Sequence, residues 1–236
     1  ETVTKEDGTE SIRNTLRDKA TAQENTANTK ISSNSSKGSS TNKKGSTGSS
    51  SSNSSNSSSN SGVNQSFVAN MSISRQTTQA ITVVGNGGSY ATLTLHTKRS
   101  GIWTETLSCS ARVGKNGITS NKREGDGKTP TGIYSFGQAF GVAGNPGTSR
   151  GWLQVNNNHY WVDDVNSPYY NKLVDASQTG IQWSSAEHLI GYPTAYKYAI
   201  AVNYNTACTP GAGSAIFLHC STGSSTAGCI SVSQSN

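Results

Sequence analysis

The residues whose types and spacing suggest chemistry are His219 and Cys229. In the run FLHCSTGSSTAGCIS nine residues lie between them, mostly small or hydroxylated, and Gly228 stands directly before Cys229. A nucleophilic cysteine needs its thiolate stabilised, room for a substrate carbonyl, and N–H donors for the oxyanion that develops. Gly228 removes side-chain bulk and lets the backbone turn tightly, so amides around Gly228 and Cys229 can face a substrate oxygen. His219, ending the apolar run SAIFLH, can reach across the loop as general base, and its other ring nitrogen then needs an orienting acceptor. Two other chemistries fit the same letters. Zinc would draw Cys208 and Cys220 in with His219 and Cys229, but neither a CxxC pair nor HExxH occurs, and adjacent His219 and Cys220 on a strand point to opposite faces. A disulfide is the third reading: Cys109, Cys208, Cys220 and Cys229 allow three pairings. If Cys229 is kept free, chain proximity favours a bridge between Cys208 and Cys220. The residues alone leave a structural histidine with a bridged cysteine standing beside the nucleophile reading.

Strands must position this pair. QAITVVG and SYATLTLHTK are apolar or β-branched runs joined through NGG, where Asn86 and Gly87 tolerate positive φ, so a hairpin is expected. ATLTL alternates, with Ala91, Leu93 and Leu95 on one face. YKYAIAVNYN repeats the pattern, placing Tyr196, Tyr198, Ile200, Val202 and Tyr204 on one side, and SAIFLH and TGIYSFG are further strands. WSSAEHLI reads as a helix start, with Ser184 or Ser185 capping and Glu187 returning the bond.

Ahead of this domain, residues 32–62 hold 17 serines in 31 positions and no large apolar side chain. Such a segment cannot bury enough area to offset its ordering entropy, so a disordered Ser/Asn/Gly-rich linker is expected. Residues 1–31 read as a disordered or weakly helical flank, with Ile12 and Leu16 at helical spacing. From residue 63 onward Lys and Arg number 11 against 7 Asp and Glu, but the positive residues form no arginine-rich stripe and the aromatics are not interleaved with them. Nucleic acid is therefore excluded as a partner; an anionic wall or a substrate bearing carboxylates accounts for the sign. No run approaches 18 apolar residues, and the chain opens on Glu1, which reads as a mature or trimmed product or else as a cytosolic protein, the polar spacer favouring the first.

The runs KREGDGKTPTGIYSFG, WVDD, SAEHL, YKYAIAVNYN, GSAIFLHC and STAGCIS, in that order, resemble the L,D-transpeptidase catalytic domain, the YkuD-like family of peptidoglycan enzymes, from about Ala80 to the C terminus. The resemblance implies a mainly β fold, a β-sandwich/barrel with a short helix. It implies an extracellular or cell-wall enzyme acting on peptidoglycan stem peptides with no metal and no cofactor. A cysteine would attack a tetrapeptide stem, release D-alanine and hold the stem as a thioester until an amine resolves it into a cross-link. Water in the amine's place would give an L,D-carboxypeptidase, and loss of the thiol's reactivity would leave a wall-binding domain. Carried over by position, Cys229 resembles the nucleophile, His219 the base, the Cys220 carbonyl its orienting acceptor, and Gly228 part of the oxyanion region. Thr226 and Ala227 belong to the same motif, Lys128 and Thr129 to the GDGKTPTG signature near the cleft, and Trp161, Asp163 and Asp164 to the groove, the two aspartates as partners for an amino group on the stem. Three positions depart from the family pattern. Ala227 stands where a second histidine is common, Ser231 where an arginine is common, and the chain ends at Asn236. The early end reads as a truncated domain with an exposed edge, or one whose missing strand comes from the region Phe67 to Ile73.

Overall fold

The computed structural model describes Glu10–Asn14 and residues 65–236. The Ser/Asn-rich segment 32–62 and the rest of the flank lie outside the described residues. Glu10–Asn14, expected as disordered or weakly helical chain, is strand β1, parallel to β2 (Gln79–Gly87) and antiparallel to β7 (Gly132–Gly141). Ladder bonds to two neighbours supply the backbone partners that a five-residue helix would leave unsatisfied at both ends.

β2, β3 (Tyr90–Arg99) and β4 (Ile102–Arg112) form an antiparallel meander. Its first turn is the expected hairpin, with the positive φ falling on Gly87 and Gly88. The alternation along ATLTL breaks at Thr94, which is buried while Leu95 is half-buried; a register shift against β4 follows Leu95 and re-aims the strand. Short β5 (Ile118–Thr119) and β6 (Thr129–Pro130) pair with each other. β8 (Trp152–Gln154) lies outside β7. A separate sheet has β9 (His159–Val162) between β10 (Leu173–Asp175) and β11 (Ala186–His188). The main sheet continues through β12 (Ala199–Val202), β13 (Phe217–Cys220) and β14 (Ile230–Val232), in the order β1-β2-β3-β4-β14-β13-β12-β7-β8. Among the described residues this is a mostly β architecture in several sheets with one short helix, and that much of the expectation stands.

The helix is α1 (Ala176–Thr179), capped by Asp175. WSSAEHLI contains no helix start: Ala186–His188 is β11 and Leu189–Gly191 a 3-10 turn. The free ladder positions of β9 capture this segment, pairing Glu187 with Trp161, and tertiary pairing overrides the capping pattern. The region Phe67 to Ile73 adds no strand either; Phe67–Asn70 and Ser72–Arg75 are 3-10 turns. Nor is β14 an exposed edge, since it is parallel to β13 on one side and antiparallel to β4 on the other.

Both faces of the central strands are buried, which explains their unbroken apolar runs. Val202, Ile216 and Ile230 face a core with Val83, Leu93, Val113 and Phe136. The alternate residues Ala199, Ala201 and Phe217, with Cys229, face a second core with Phe140, Leu189 and Tyr196. Tyr196 therefore does not share a side with Ile200, Val202 and Tyr204, because it precedes β12 and packs in the second core.

Candidate active site

β13 and β14 run side by side in parallel, with Leu218 opposite Ile230 and His219 opposite Ser231. Cys229, one step before β14, falls beside Phe217, whose amide lies 3.3 Å from the Cys229 Sγ. His219 follows two residues along β13, on the same face as Phe217. The sheet thus makes the histidine and the cysteine diagonal neighbours, although a crossing loop separates them in sequence.

The GDGKTPTG and STAGC motifs meet on a single atom. The carbonyl oxygen of Cys229 accepts the hydroxyl of Thr226 at 2.7 Å and that of Thr129 at 3.2 Å. Thr129, fully buried, also accepts the Gly114 amide at 2.9 Å, while Thr226 accepts the Gly228 amide at 3.2 Å. The main chain adds Thr226 N–H to Val113 O at 3.1 Å and Lys115 N–H to Thr226 O at 2.8 Å. This close approach requires Gly114, where a Cβ would sit 2.4 Å from the Gly127 oxygen. Gly228 is also confined: its Cβ would meet the Lys128 oxygen at 3.0 Å.

Cys229 is buried, and its thiol donates to the Ala215 carbonyl at 3.2 Å. Burial, and then the nearby Glu187 charge, push its pKa far above the usual thiol value; the Phe217 amide and Lys122 pull the other way without prevailing. The resting Cys229 is a thiol. Ala215 holds its carbonyl there in the left-handed region, φ 51, with its amide bound at 3.1 Å by the Asn171 Oδ1. Asn171 in turn donates to the carbonyls of Tyr204 and Asn205 and accepts the Trp161 indole at 3.0 Å. Burial lowers the pKa of His219, against the opposing pull of the Cys220 and Ala195 carbonyls, so the imidazole is neutral at pH 7. Its Nδ1 lies 2.8 Å from the Cys220 oxygen.

A cavity of about 200 Å³ opens on Cys229, Gly228 and Ala227, with Asp163, Glu124 and Glu187 among its other walls. The Oδ1 of Asp163 is buried there without a hydrogen-bond partner. His219 and Cys220 line a different cavity, of about 280 Å³, together with Arg150, Trp152 and Tyr198. Four residues read from sequence into the cleft have the following contacts within the protein. Asp164 binds the Ser184 amide and hydroxyl and the Asn166 amide, building an exposed turn. Trp161 packs edge-on against Phe217 at 4.9 Å. Lys128 contributes its backbone, its amide held by Asp126 at 2.9 Å. Thr129 faces the Cys229 carbonyl. Strand alternation explains the aspartates: of two neighbours leaving β9, only one can face the cavity.

The family model for the L,D-transpeptidase catalytic domain, YkuD, matches residues 73–236. The chain belongs to this family. No curated protein and no solved structure matches it. Membership supports a catalytic, transpeptidase-type role at peptidoglycan, and the matched span contains both motifs that converge on Cys229.

Other features of this L,D-transpeptidase-family domain were not legible beforehand. The expected bridge is absent, and all four cysteines are free. The Cys208 Sγ faces the carbonyls of Thr206 and Asn171, and that of Cys220 faces Tyr198 at 3.6 Å, because nearness in the chain does not orient two Cβ atoms toward each other. Among the described residues no group of three or more His, Cys, Asp or Glu is arranged to hold a metal ion. Glu124 and Glu187 were missed as cavity residues. Both lie in runs that carry the family resemblance, KREGDGKTPTG and SAEHL, and that was the available signal.

Proposed function

We propose that this domain is a peptidoglycan L,D-transpeptidase acting outside the cell, in which Cys229 is acylated by a tetrapeptide stem. The observation that carries the reading is the seating of Cys229 on a cavity wall, its carbonyl pinned by Thr129 and Thr226, beside a neutral His219 oriented by the Cys220 carbonyl. In acylation the Sγ–H proton passes to His219 while sulfur bonds to the carbonyl carbon of the third stem residue. The C–N bond to the terminal D-alanine then breaks as its nitrogen takes a proton from an acidic group of the cavity, leaving a thioester. An amine of a neighbouring stem attacks that thioester and returns a proton to that group, while Cys229 leaves as thiolate and recovers its proton from His219. Water as acceptor gives the carboxypeptidase outcome through the same first half.

Ala227 offers no second imidazole, so oxyanion stabilisation falls to backbone amides. The Gly228 amide is held by Thr226 in the resting site and must be released to serve; the Cys229 amide is the other donor of the reading. Asp163, with its buried unpartnered oxygen, is the residue we assign to an amino group on the third stem residue. Incubation with a tetrapeptide stem should release D-alanine and yield cross-linked or trimmed product. Cys229→Ser should abolish the release, and undiminished release by that variant would refute the assignment.

A further inference from the structure

The cavity beside Cys229 holds more carboxylates than its basic residues neutralise. Of its two lysines, Lys122 is committed to Asp126 at 2.5 Å and to the Arg123 carbonyl, and Lys115 makes no ion pair among the described residues. Glu124 accepts hydrogen bonds from the hydroxyls of Tyr170 and Ser214. Glu187 also stands on this wall, and no lysine or arginine pairs with it among the described residues. Its Oε2 accepts the hydroxyl of Tyr196. The Tyr196 ring in turn lies edge-on against His219 at 5.5 Å and against Phe217 at 5.5 Å, the residue whose amide touches the Cys229 Sγ. A half-buried carboxyl thus shares the cavity of the nucleophile and is held from behind by a phenol wedged against the base. His219 does not line that cavity, and the Cys220 and Ala195 carbonyls both engage its ring.

We propose that Glu187 is a catalytic residue, the proton carrier for the amine that leaves the acyl group and for the amine that later accepts it. The inference rests on the reading of Cys229 as nucleophile and divides the proton traffic in two. The thiol proton goes to His219 and returns from it. When the C–N bond to D-alanine breaks, the departing nitrogen takes the proton of the Glu187 carboxyl, giving a neutral amine and a carboxylate. When the acceptor amine forms its amide bond to the acyl carbon, it gives a proton back to Glu187, and the cycle closes without an external acid.

The surroundings suit a carboxyl that is protonated before each turnover. Burial raises its pKa most, the charges of Asp163 and Glu124 add to this, and the Tyr196 hydroxyl opposes them, leaving it at about 7. Tyr192 and Cys229 also feel its charge, and Lys115 and Lys122 face the same space.

The test compares two donors built on one stem peptide: the natural amide, whose leaving amine needs a proton, and an aryl ester, whose leaving phenolate does not. Acylation of Cys229 is followed by quenched intact-protein mass spectrometry. Glu187→Gln, which keeps an acceptor for Tyr196, should slow the amide on the order of 10²-fold or more and the ester less than about threefold. Wild-type amide acylation should fall as pH rises through about 7, and the variant should lack that limb. Tyr196→Phe removes the bond that lowers the Glu187 pKa, so its limb should move to higher pH, a shift that a merely structural role would not produce. Equal slowing of both donors, or an undiminished amide rate in Glu187→Gln, overturns the proposal. If wild type takes neither donor although Cys229 alkylates freely, the nucleophile assignment itself fails and the proposal goes with it.

Discussion

Thr129→Val isolates the hydroxyl that joins the GDGKTPTG segment to Cys229. Thr129 is fully buried, so no water can replace what the hydroxyl does. Removing it orphans the Gly114 amide, bound now at 2.9 Å, at about 1–3 kcal/mol for a buried unsatisfied donor. The bond to the Cys229 carbonyl is longer, 3.2 Å, and that oxygen keeps Thr226 at 2.7 Å, so its loss adds only about 0.5 kcal/mol. The sum is about 1.5–3.5 kcal/mol. Thr226→Val should cost about 1 kcal/mol, since Thr226 is only half-buried and water can reach the place its hydroxyl vacates. The double variant strips the Cys229 carbonyl of both hydroxyl donors and should lose about 1 kcal/mol more than the two single losses combined. Urea unfolding with an unchanged m-value measures all three. A Thr129→Val cost below about 0.5 kcal/mol, or additivity of the pair within about 0.3 kcal/mol, would refute the shared-carbonyl reasoning.

Gly114→Ala should prevent folding or cost more than about 3 kcal/mol, because its Cβ would fall 2.4 Å from the Gly127 oxygen; a urea midpoint near wild type would contradict that packing. In Glu187 the folded pKa of about 7 lies above the unfolded value near 4.5, so the native state binds the extra proton. The stability this gives is full below about pH 4.5 and is lost as pH rises through about 7, by about 3 kcal/mol, and Glu187→Gln should flatten the loss. His219 has its folded pKa depressed, so stability falls as pH drops below its ordinary value of 6.5, and His219→Gln should remove that component; identical pH profiles for variant and wild type would speak against its burial as a neutral ring. Alkylation under denaturing conditions without reductant should modify four thiols, and two or fewer would show a bridge that the geometry of Cys208 and Cys220 does not contain.

The parts of the fold set by local chemistry were legible. NGG marks the β2–β3 turn because glycine tolerates positive φ, and TGIYSFG and SAIFLH overlap β7 and β13 without reaching their ends. In the site, the spacing of His219 and Cys229 pointed to a strand followed by a loop, and the parallel β13–β14 pair supplies it. Long-range pairing decided the rest. Glu187 has the spacing of a capping residue, yet it sits in β11 because β9 offers ladder bonds; a sequence does not display its partner strand. Asp163 and Asp164 look alike in WVDD, and only their orientation at the end of β9 separates a cavity wall from a turn. The meeting of Thr129 with Cys229 spans about a hundred residues, beyond any local pattern.

The most direct test is the intact mass of the protein after incubation with a tetrapeptide stem, followed by peptide mapping of the adduct. Wild type should gain the mass of the stem less its terminal D-alanine, located on Cys229, and Cys229→Ala should gain nothing. His219→Gln should keep its fold and acylate on the order of 10²-fold more slowly. An adduct that persists in Cys229→Ala, or unmodified wild type in which Cys229 is shown to be free and accessible to alkylation, would contradict the account.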